Sequence, residues 1–235
     1  MIAVFAYHSV SDTHYAYAVS PTAFERQLTY IKNNFKIISI RDLETILKAR
    51  KAPSQNMALI TFDDGLQDNY INAFPSLNKL GIPATIFLAT GSIGNTFETK
   101  AGGMKALNWQ EIKEMEASEL ITFGSHTHTH PNLTDLGINE MKDEFTTSRS
   151  IIEENLGVRP HVIAYPKGKY NSSVQAVARE HFSLAFGGDG VMTNIKNVDI
   201  FAIPRIIISN LIPSWKFKLF KFQLYWKLKG IFGTK

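Results

Sequence analysis

A chain of 235 residues, 44% of them hydrophobic, can bury a large core in one domain, and a single α/β barrel fits within this length. It contains no cysteine, which excludes disulfide staples, thiolate ligands and a cysteine nucleophile and leaves His, Asp and Glu as the available metal ligands. The net charge of +4 does not describe a nucleic-acid-binding surface: Lys216, Lys218, Lys221, Lys227, Lys229 and Lys235 all lie beyond Pro213 with no acid among them, and the rest of the chain is near −2.

In chain order, the apolar start Met1-Ile2-Ala3-Val4-Phe5-Ala6-Tyr7-His8 predicts a buried strand over 2–7 rather than a basic secretory leader, so export is not expected. A helix over 21–33 follows, with Ser20 as N-cap, Pro21 at its first position and Phe24, Leu28 and Ile31 on one face. The next strand, 58–62, runs into Thr61-Phe62-Asp63-Asp64-Gly65. In an extended strand the two carboxylates would point to opposite faces, but Gly65 permits a turn that brings both into one cleft, one to bind a metal and the other to polarise water. A helix over 69–80 and a strand over 84–89 come next, then a glycine-rich loop over 91–103.

A helix opening at Asn108 has Glu111 placed to complete its cap and Leu107 with Ile112 as a staple, and it ends near Glu119. The strand 121–124 leads into Gly124-Ser125-His126-Thr127-His128-Thr129-His130-Pro131. His126 and His130, four apart, share a face if the segment enters a helical turn, while His128 points away and Thr127 and Thr129 support the loop. Helices over 137–156 and 172–181 and strands over 162–165, 183–186 and 203–208 complete a parallel-sheet rhythm. Carboxylates at the end of a buried strand, together with a histidine cluster, are the parts of a metal-assisted hydrolase.

Thr61-Phe62-Asp63-Asp64-Gly65, the histidine run from His126 and Ala164-Tyr165-Pro166-Lys167-Gly168 together resemble the polysaccharide deacetylase family, whose members carry the NodB homology domain. Tyr7-His8-Ser9-Val10 is similar to the branch that N-deacetylates poly-N-acetylglucosamine or cell-surface glycan intermediates. The resemblance covers nearly the whole chain and implies a distorted or incomplete (β/α) barrel of seven strands with its site at their C-terminal ends. It implies Asp63 as catalytic base, Asp64, His126 and His130 as metal ligands, and His8 as the acid that protonates the leaving amine, because no histidine follows Gly190 to supply the family's late one. The family's arginine is missing where Ala164 stands, so Arg205 is the expected orienting cation. Tyr165 and Lys167 are assigned to the substrate and oxyanion, the Lys167 N–H being the donor.

The ligand set suits Zn²⁺ and is compatible with Co²⁺ or Ni²⁺. The expected reaction is hydrolysis of the N-acetyl group of an acetamido sugar, in a glycan or its lipid-linked precursor. Chitin, peptidoglycan or O-acetylated glycan are rival substrates, and a silent glycan-binding protein is the rival class. The deacetylase domain is expected over 1–212 and a basic, aromatic tail over 213–235. In that tail Trp215, Leu219, Phe222 and Trp226 form one helical stripe, which, with the lysines, would bring a cytoplasmic protein to an anionic membrane surface. No apolar run reaches the ~18 residues of a membrane span.

Overall fold

The computed structural model describes residues 1–100, 102–190, 195 and 197–210. Seven strands form its centre: β1 (Ile2–Tyr7), β2 (Met57–Phe62), β3 (Ala84–Leu88), β4 (Ile121–Ser125), β5 (Val162–Ala164), β6 (Leu184–Asp189) and β7 (Ile203–Ile207). Each pairs in parallel with the next in sequence and β7 pairs with β1, so the ring is closed. The ring is nonetheless uneven. β4 and β5 meet at a single register pair, Ser125 with Ile163, and the register shifts between β6 and β7. A short outer strand, Lys36–Ile37, pairs with the first two residues of β2, while β3 takes the last three.

Around this ring stand α1 (Pro21–Asn34), α2 (Ile40–Ala49), α3 (Phe74–Leu80), α4 (Trp109–Glu116), α5 (Ile138–Leu156) and α6 (Ser172–His181). Every residue of β1 is buried because both faces of a parallel barrel strand are covered. Ala3, Phe5 and Tyr7 pack outward with Phe24, Leu28 and Ile31 of α1. Ile2 and Val4 point inward with Leu59, Phe87, Val162, Phe186 and Ile203. Burying Phe87 and Phe186 there, ring centroids 5.4 Å apart, contributes about 1.5–3 kcal/mol each. The room for Phe87 comes from Gly124: a Cβ at that position would lie 2.6 Å from the Phe87 ring.

The caps anticipated from the sequence are present. Ser20 accepts the Ala23 N–H ahead of α1, and Asn108 and Glu111 form a reciprocal capping box at α4, which stops at Glu116, short of the expected end. The helix anticipated over 69–80 begins as a wide π-turn at Asn69–Ala73 and becomes α-helical only at Phe74, where Pro75, with no N–H to donate, occupies the first turn. The chain reading omitted α2 altogether, although Ser39 and Asp42 cap it reciprocally and Ile40, Leu43 and Leu47 share one face. Those three join the barrel-interior cluster at the N-terminal ends of the strands, so α2 closes the bottom of the barrel. The segment read as a plain loop over 91–103 also carries structure, a hairpin of Thr96–Thr99 and Gly102–Lys105 that buries Phe97.

Among the described residues no helix is long and apolar enough to cross a membrane. The expected tail over 213–235, and its boundary at 212, lie outside the described residues.

Candidate active site

The C-terminal ends of β1, β2, β4 and β7 converge on one buried polar cluster. At the end of β2 the Asp63 N–H donates to the Tyr7 carbonyl, and then the chain reverses: Asp64 and Gly65 both have φ of 69°. A left-handed Asp64 turns its side chain to the same cleft as Asp63, which the alternation of an extended strand would forbid. A Cβ on Gly65 would sit 2.8 Å from the Leu88 side chain, so glycine lets the turn lie against β3 without displacing that side chain.

Asp63 is held by Arg205 from β7 in a bidentate pair, Nη1 to Oδ1 and Nη2 to Oδ2, each 2.7 Å. Both residues are buried, so this is no rim salt bridge. Burial alone would push the Asp63 carboxyl up, but the charge and hydrogen bonds of Arg205, with His126 and His8 nearby, outweigh it and hold Asp63 well below the usual carboxylate range. Burial is likewise outweighed at Asp64 by His126, His8 and His130.

Asp64 Oδ1 lies 3.5 Å from His126 Nε2 and 3.5 Å from His130 Nε2. Two donor atoms each about 2.1 Å from one tetrahedral ion stand about 3.4 Å apart, so the spacing fits a shared cation. The tautomer fits as well: His126 Nδ1 lies 2.7 Å from the Ala164 carbonyl, which can only accept, so Nδ1 carries a proton and Nε2 faces Asp64 as the available ligand. Burial opposes charge on His126, but Asp63 and Asp64 overcome it and raise its pKa; His130, half-buried and beside His126, is pushed down to about 4 by desolvation and the His126 charge. Two imidazoles and one carboxylate leave coordination positions for water and substrate.

The helical turn expected over the histidine run is absent. Thr127 and His130 instead have φ of 68° and 59°, and the loop is held by side chains. Ser125 Oγ accepts the Thr127 N–H and Thr127 Oγ1 accepts the His130 N–H. From α5, Glu144 accepts the N–H groups of His128 and Thr129 at 2.8 Å each, and the Thr129 hydroxyl at 2.6 Å. His128 turns away onto Thr90, and its carbonyl accepts the Gly91 N–H. Phe97 from the unanticipated hairpin sets its ring against His130, centroids 5.1 Å apart at 71°.

His8 enters from the end of β1, its Nε2 3.8 Å from Asp63 Oδ2. Asn69 donates to the His8 carbonyl, and Asp68 accepts from Ser9 Oγ and the Val10 N–H, tying the His8 segment to the turn that carries the two aspartates. Lys167 is exposed in the Pro166–Gly168 turn with φ of 60°, and its charge helps depress His130. The hydrogen bonds of that turn come from Gly168 and Lys169, which donate to Tyr165 and Pro166, so the Lys167 N–H is not part of that ladder. Tyr165 is a correction: its side chain is fully buried away from the cleft, its hydroxyl donates to the Phe201 carbonyl, and its ring stacks on Tyr170. It supports the turn from beneath and does not face substrate. Sequence reasoning missed Phe97 and Glu144; for Glu144 only its place on a helical face after the histidines could have pointed to it.

A family model described as polysaccharide deacetylase matches residues 50–182. The protein YxkH of Bacillus subtilis (strain 168) is 31% identical over 178 residues, which cover 75% of this chain and 60% of that protein. The poly-beta-1,6-N-acetyl-D-glucosamine N-deacetylase of Staphylococcus aureus (strain MRSA252) is 28% identical over 216 residues, covering 85% of this chain and 72% of that one. Among solved structures, IcaB from Ammonifex degensii superposes with a TM-score of 0.83 at 26% identity, over 94% of this chain and 96% of that chain. This chain thus spans under two thirds of the length of the Bacillus relative and nearly all of the Ammonifex structure.

Proposed function

The chain belongs to the polysaccharide deacetylase family, and from that premise we propose that it hydrolyses the N-acetyl group of an acetamido sugar in a glycan, releasing acetate and leaving a free amine. The observation that carries this reading is Asp63, clamped by Arg205 at 2.7 Å, beside an Asp64–His126–His130 group whose ligand atoms lie within 4.8 Å of one another. A divalent cation held by Asp64, His126 and His130 would supply Lewis acidity, polarising the acetyl carbonyl and lowering the pKa of water to about 7.

Arg205 keeps Asp63 ionised and fixes both its oxygens, so Asp63 is always ready to accept the proton of an attacking water. A carboxylate held so low is a weak base, and a cation bound beside it would offset this by making the water more acidic. The Lys167 N–H is the donor we assign to the developing oxyanion, on the C-terminal side of the barrel where substrate must enter. His8, 3.8 Å from Asp63, delivers a proton to the departing amine. The C–N bond breaks with its electron pair leaving on nitrogen, and no covalent enzyme intermediate is required.

For the sugar we propose N-acetylglucosamine units, the chemistry in the name of the Staphylococcus relative. For the ion we propose Zn²⁺, which nitrogen and carboxylate donors favour over harder cations. We also keep a cytoplasmic, membrane-peripheral placement on a lipid-linked precursor as a proposal, supported by the lysines and Trp215 and Trp226 in 213–235. Flotation on anionic liposomes that is equal for full-length and 1–212 protein would remove that placement.

The activity is tested by acetate release from metal-loaded protein on β-1,6-linked N-acetylglucosamine oligomers, chitin oligomers, peptidoglycan and an O-acetylated glycan. Release from the first set supports the proposal; release confined to the O-acetyl substrate, or none from any, overturns it.

A further inference from the structure

His8 stands just past the end of a ladder. β1 and β2 pair as far as Tyr7 and Phe62, the Asp63 N–H donates to the Tyr7 carbonyl, and the chain then reverses at Asp64 and Gly65. On the β2 side, the backbone of His8, Ser9 and Val10 has no strand left to pair with and must find other partners. It finds them in one place. Asn69 Nδ2 donates to the His8 carbonyl at 2.7 Å and Asn72 Nδ2 to the Val10 carbonyl at 2.7 Å, while Asp68 accepts the Val10 N–H at 3.0 Å and the Ser9 hydroxyl at 2.5 Å. Asn69 also donates to Asp68 Oδ1 at 3.0 Å, so the carboxylate meets only donors. Burial raises the Asp68 pKa, and the bonds from Ser9, Val10 and Asn69 oppose the rise. All three side chains come from the π-turn at Asn69–Ala73 and the residue before it, close behind the reversal that carries Asp63 and Asp64.

The imidazole itself is held by little. Its Nδ1 is buried with no hydrogen-bond partner among the described residues, and its Nε2 lies 3.8 Å from Asp63 Oδ2, beyond hydrogen-bond length. A stack on Tyr17, centroids 4.9 Å apart, restrains the plane of the ring but not its reach. His126 differs, because its Nδ1 is fixed on the Ala164 carbonyl. The position of His8 is thus set through its backbone. An ionised Asp68 also gives direction to the hydroxyls beyond it: the Ser9 proton is committed to Asp68, so Ser11 donates to Ser9 at 2.7 Å and Thr13 to Ser11 at 2.9 Å. One carboxylate orders the segment from His8 out to Thr13.

We infer that Asp68 is a positioning residue for proton delivery: with Asn69 and Asn72 it fixes the backbone of His8 against the turn that carries Asp63, and so sets the separation of acid and base. This rests on the deacetylase reading above, in which His8 gives its proton to the departing amine. A reacting group placed about 1 Å out of line loses on the order of a hundredfold in rate. The clamp therefore matters to a leaving group that needs a proton and little to one that does not.

The test compares full-length, metal-loaded wild type, Asp68→Ala and Asp68→Asn on two acetyl donors. One is the β-1,6-linked N-acetylglucosamine tetramer, whose amine must be protonated to leave, and the other is 4-nitrophenyl acetate, whose phenolate leaves unaided. Asp68→Ala should lose about 10- to 100-fold in kcat on the tetramer with KM held, and no more than about threefold on the ester. Asp68→Asn, which keeps an acceptor for the Val10 N–H, should lose less, and it carries the comparison if the alanine variant does not fold. In a His8→Ala background the Asp68 substitution should cost nothing further on the tetramer. Equal losses on both donors, a loss carried by KM, or a full loss that persists without His8 would leave Asp68 a structural support only and overturn the inference. If wild type releases no acetate from the tetramer, the deacetylase reading fails by itself, and the clamp is decided by the NMR signal of His8 Cε1–H, identified by its loss in His8→Ala. A His8 signal that shifts in Asp68→Asn while those of His161 and His181 stay in place supports the clamp, and an unmoved one refutes it.

Discussion

Asp63 and Arg205 are 142 positions apart in sequence and share two hydrogen bonds in a buried setting. Removing one member of such a pair leaves an uncompensated buried charge, at a cost of about 3–5 kcal/mol. Arg205→Met should therefore destabilise the fold strongly, as read by urea unfolding, and less so in an Asp63→Asn background, where no carboxylate is left stranded. Additive losses would mean the pair does not act as a unit. The sign of the pH dependence follows from the depressed carboxyl. Its stabilisation is complete above the unfolded-state value near ~4 and is lost as pH falls toward the folded-state value. Stability from this source should be flat between pH 7 and 5 and decline below about 4, and Asp63→Asn should flatten the decline. At this scale the sequence was legible where chemistry is contiguous: Asp63, Asp64, His126 and His130 stand in two short runs. Arg205 could be found only because Ala164 left a cation unaccounted for. Tyr165 was misread because adjacency to Pro166 and Lys167 says nothing about the direction its ring takes.

Elements hold these residues in place. The loop bearing His126 and His130 has no helix to stiffen it, so Glu144 on α5 takes that role through three hydrogen bonds. Glu144→Ala should weaken metal binding about 10- to 100-fold in a competition titration with a chromogenic chelator, with Glu144→Gln intermediate. Unchanged affinity would show that the loop keeps its shape without α5. Beneath it, Gly124 and Phe87 share one volume. Gly124→Ala should cost about 1–3 kcal/mol in unfolding free energy through overpacking, and Phe87→Leu in the same chain should recover part of it. Strands of the barrel were readable because each is a short apolar run bounded by turn residues, and six helices' worth of crossovers separate them. The omitted α2 had a readable cap at Ser39 and Asp42. What concealed it was the lack of an obvious strand to follow, since β2 begins only after the polar stretch 50–56. The hairpin that brings Phe97 to His130 hid behind four glycines, which read as loop whether or not the backbone pairs.

Over the whole molecule, the closed ring holds together a site assembled from β1, β2, β4 and β7: these strands are joined through the barrel and sealed below by α2. The seven-stranded expectation was legible from the rhythm of runs, whereas closure depends on the pairing of β7 with β1, which no local pattern encodes. A cation that binds only the folded cluster stabilises the entire chain, by about 2.7 kcal/mol when present at 100 times its dissociation constant. Thermal unfolding should thus shift upward on adding Zn²⁺ to chelated protein, and His126→Ala should abolish the shift. A shift that survives in His126→Ala would mean the ion binds elsewhere.

The proposal that Asp63 acts as base beside a cation at Asp64, His126 and His130 is tested most directly by acetate release from Asp63→Asn protein whose metal content has been measured and matched to wild type. With the ligands intact the variant should bind the ion fully and lose about a thousandfold in kcat on the N-acetylglucosamine tetramer. Turnover within tenfold of wild type at equal metal occupancy would contradict it.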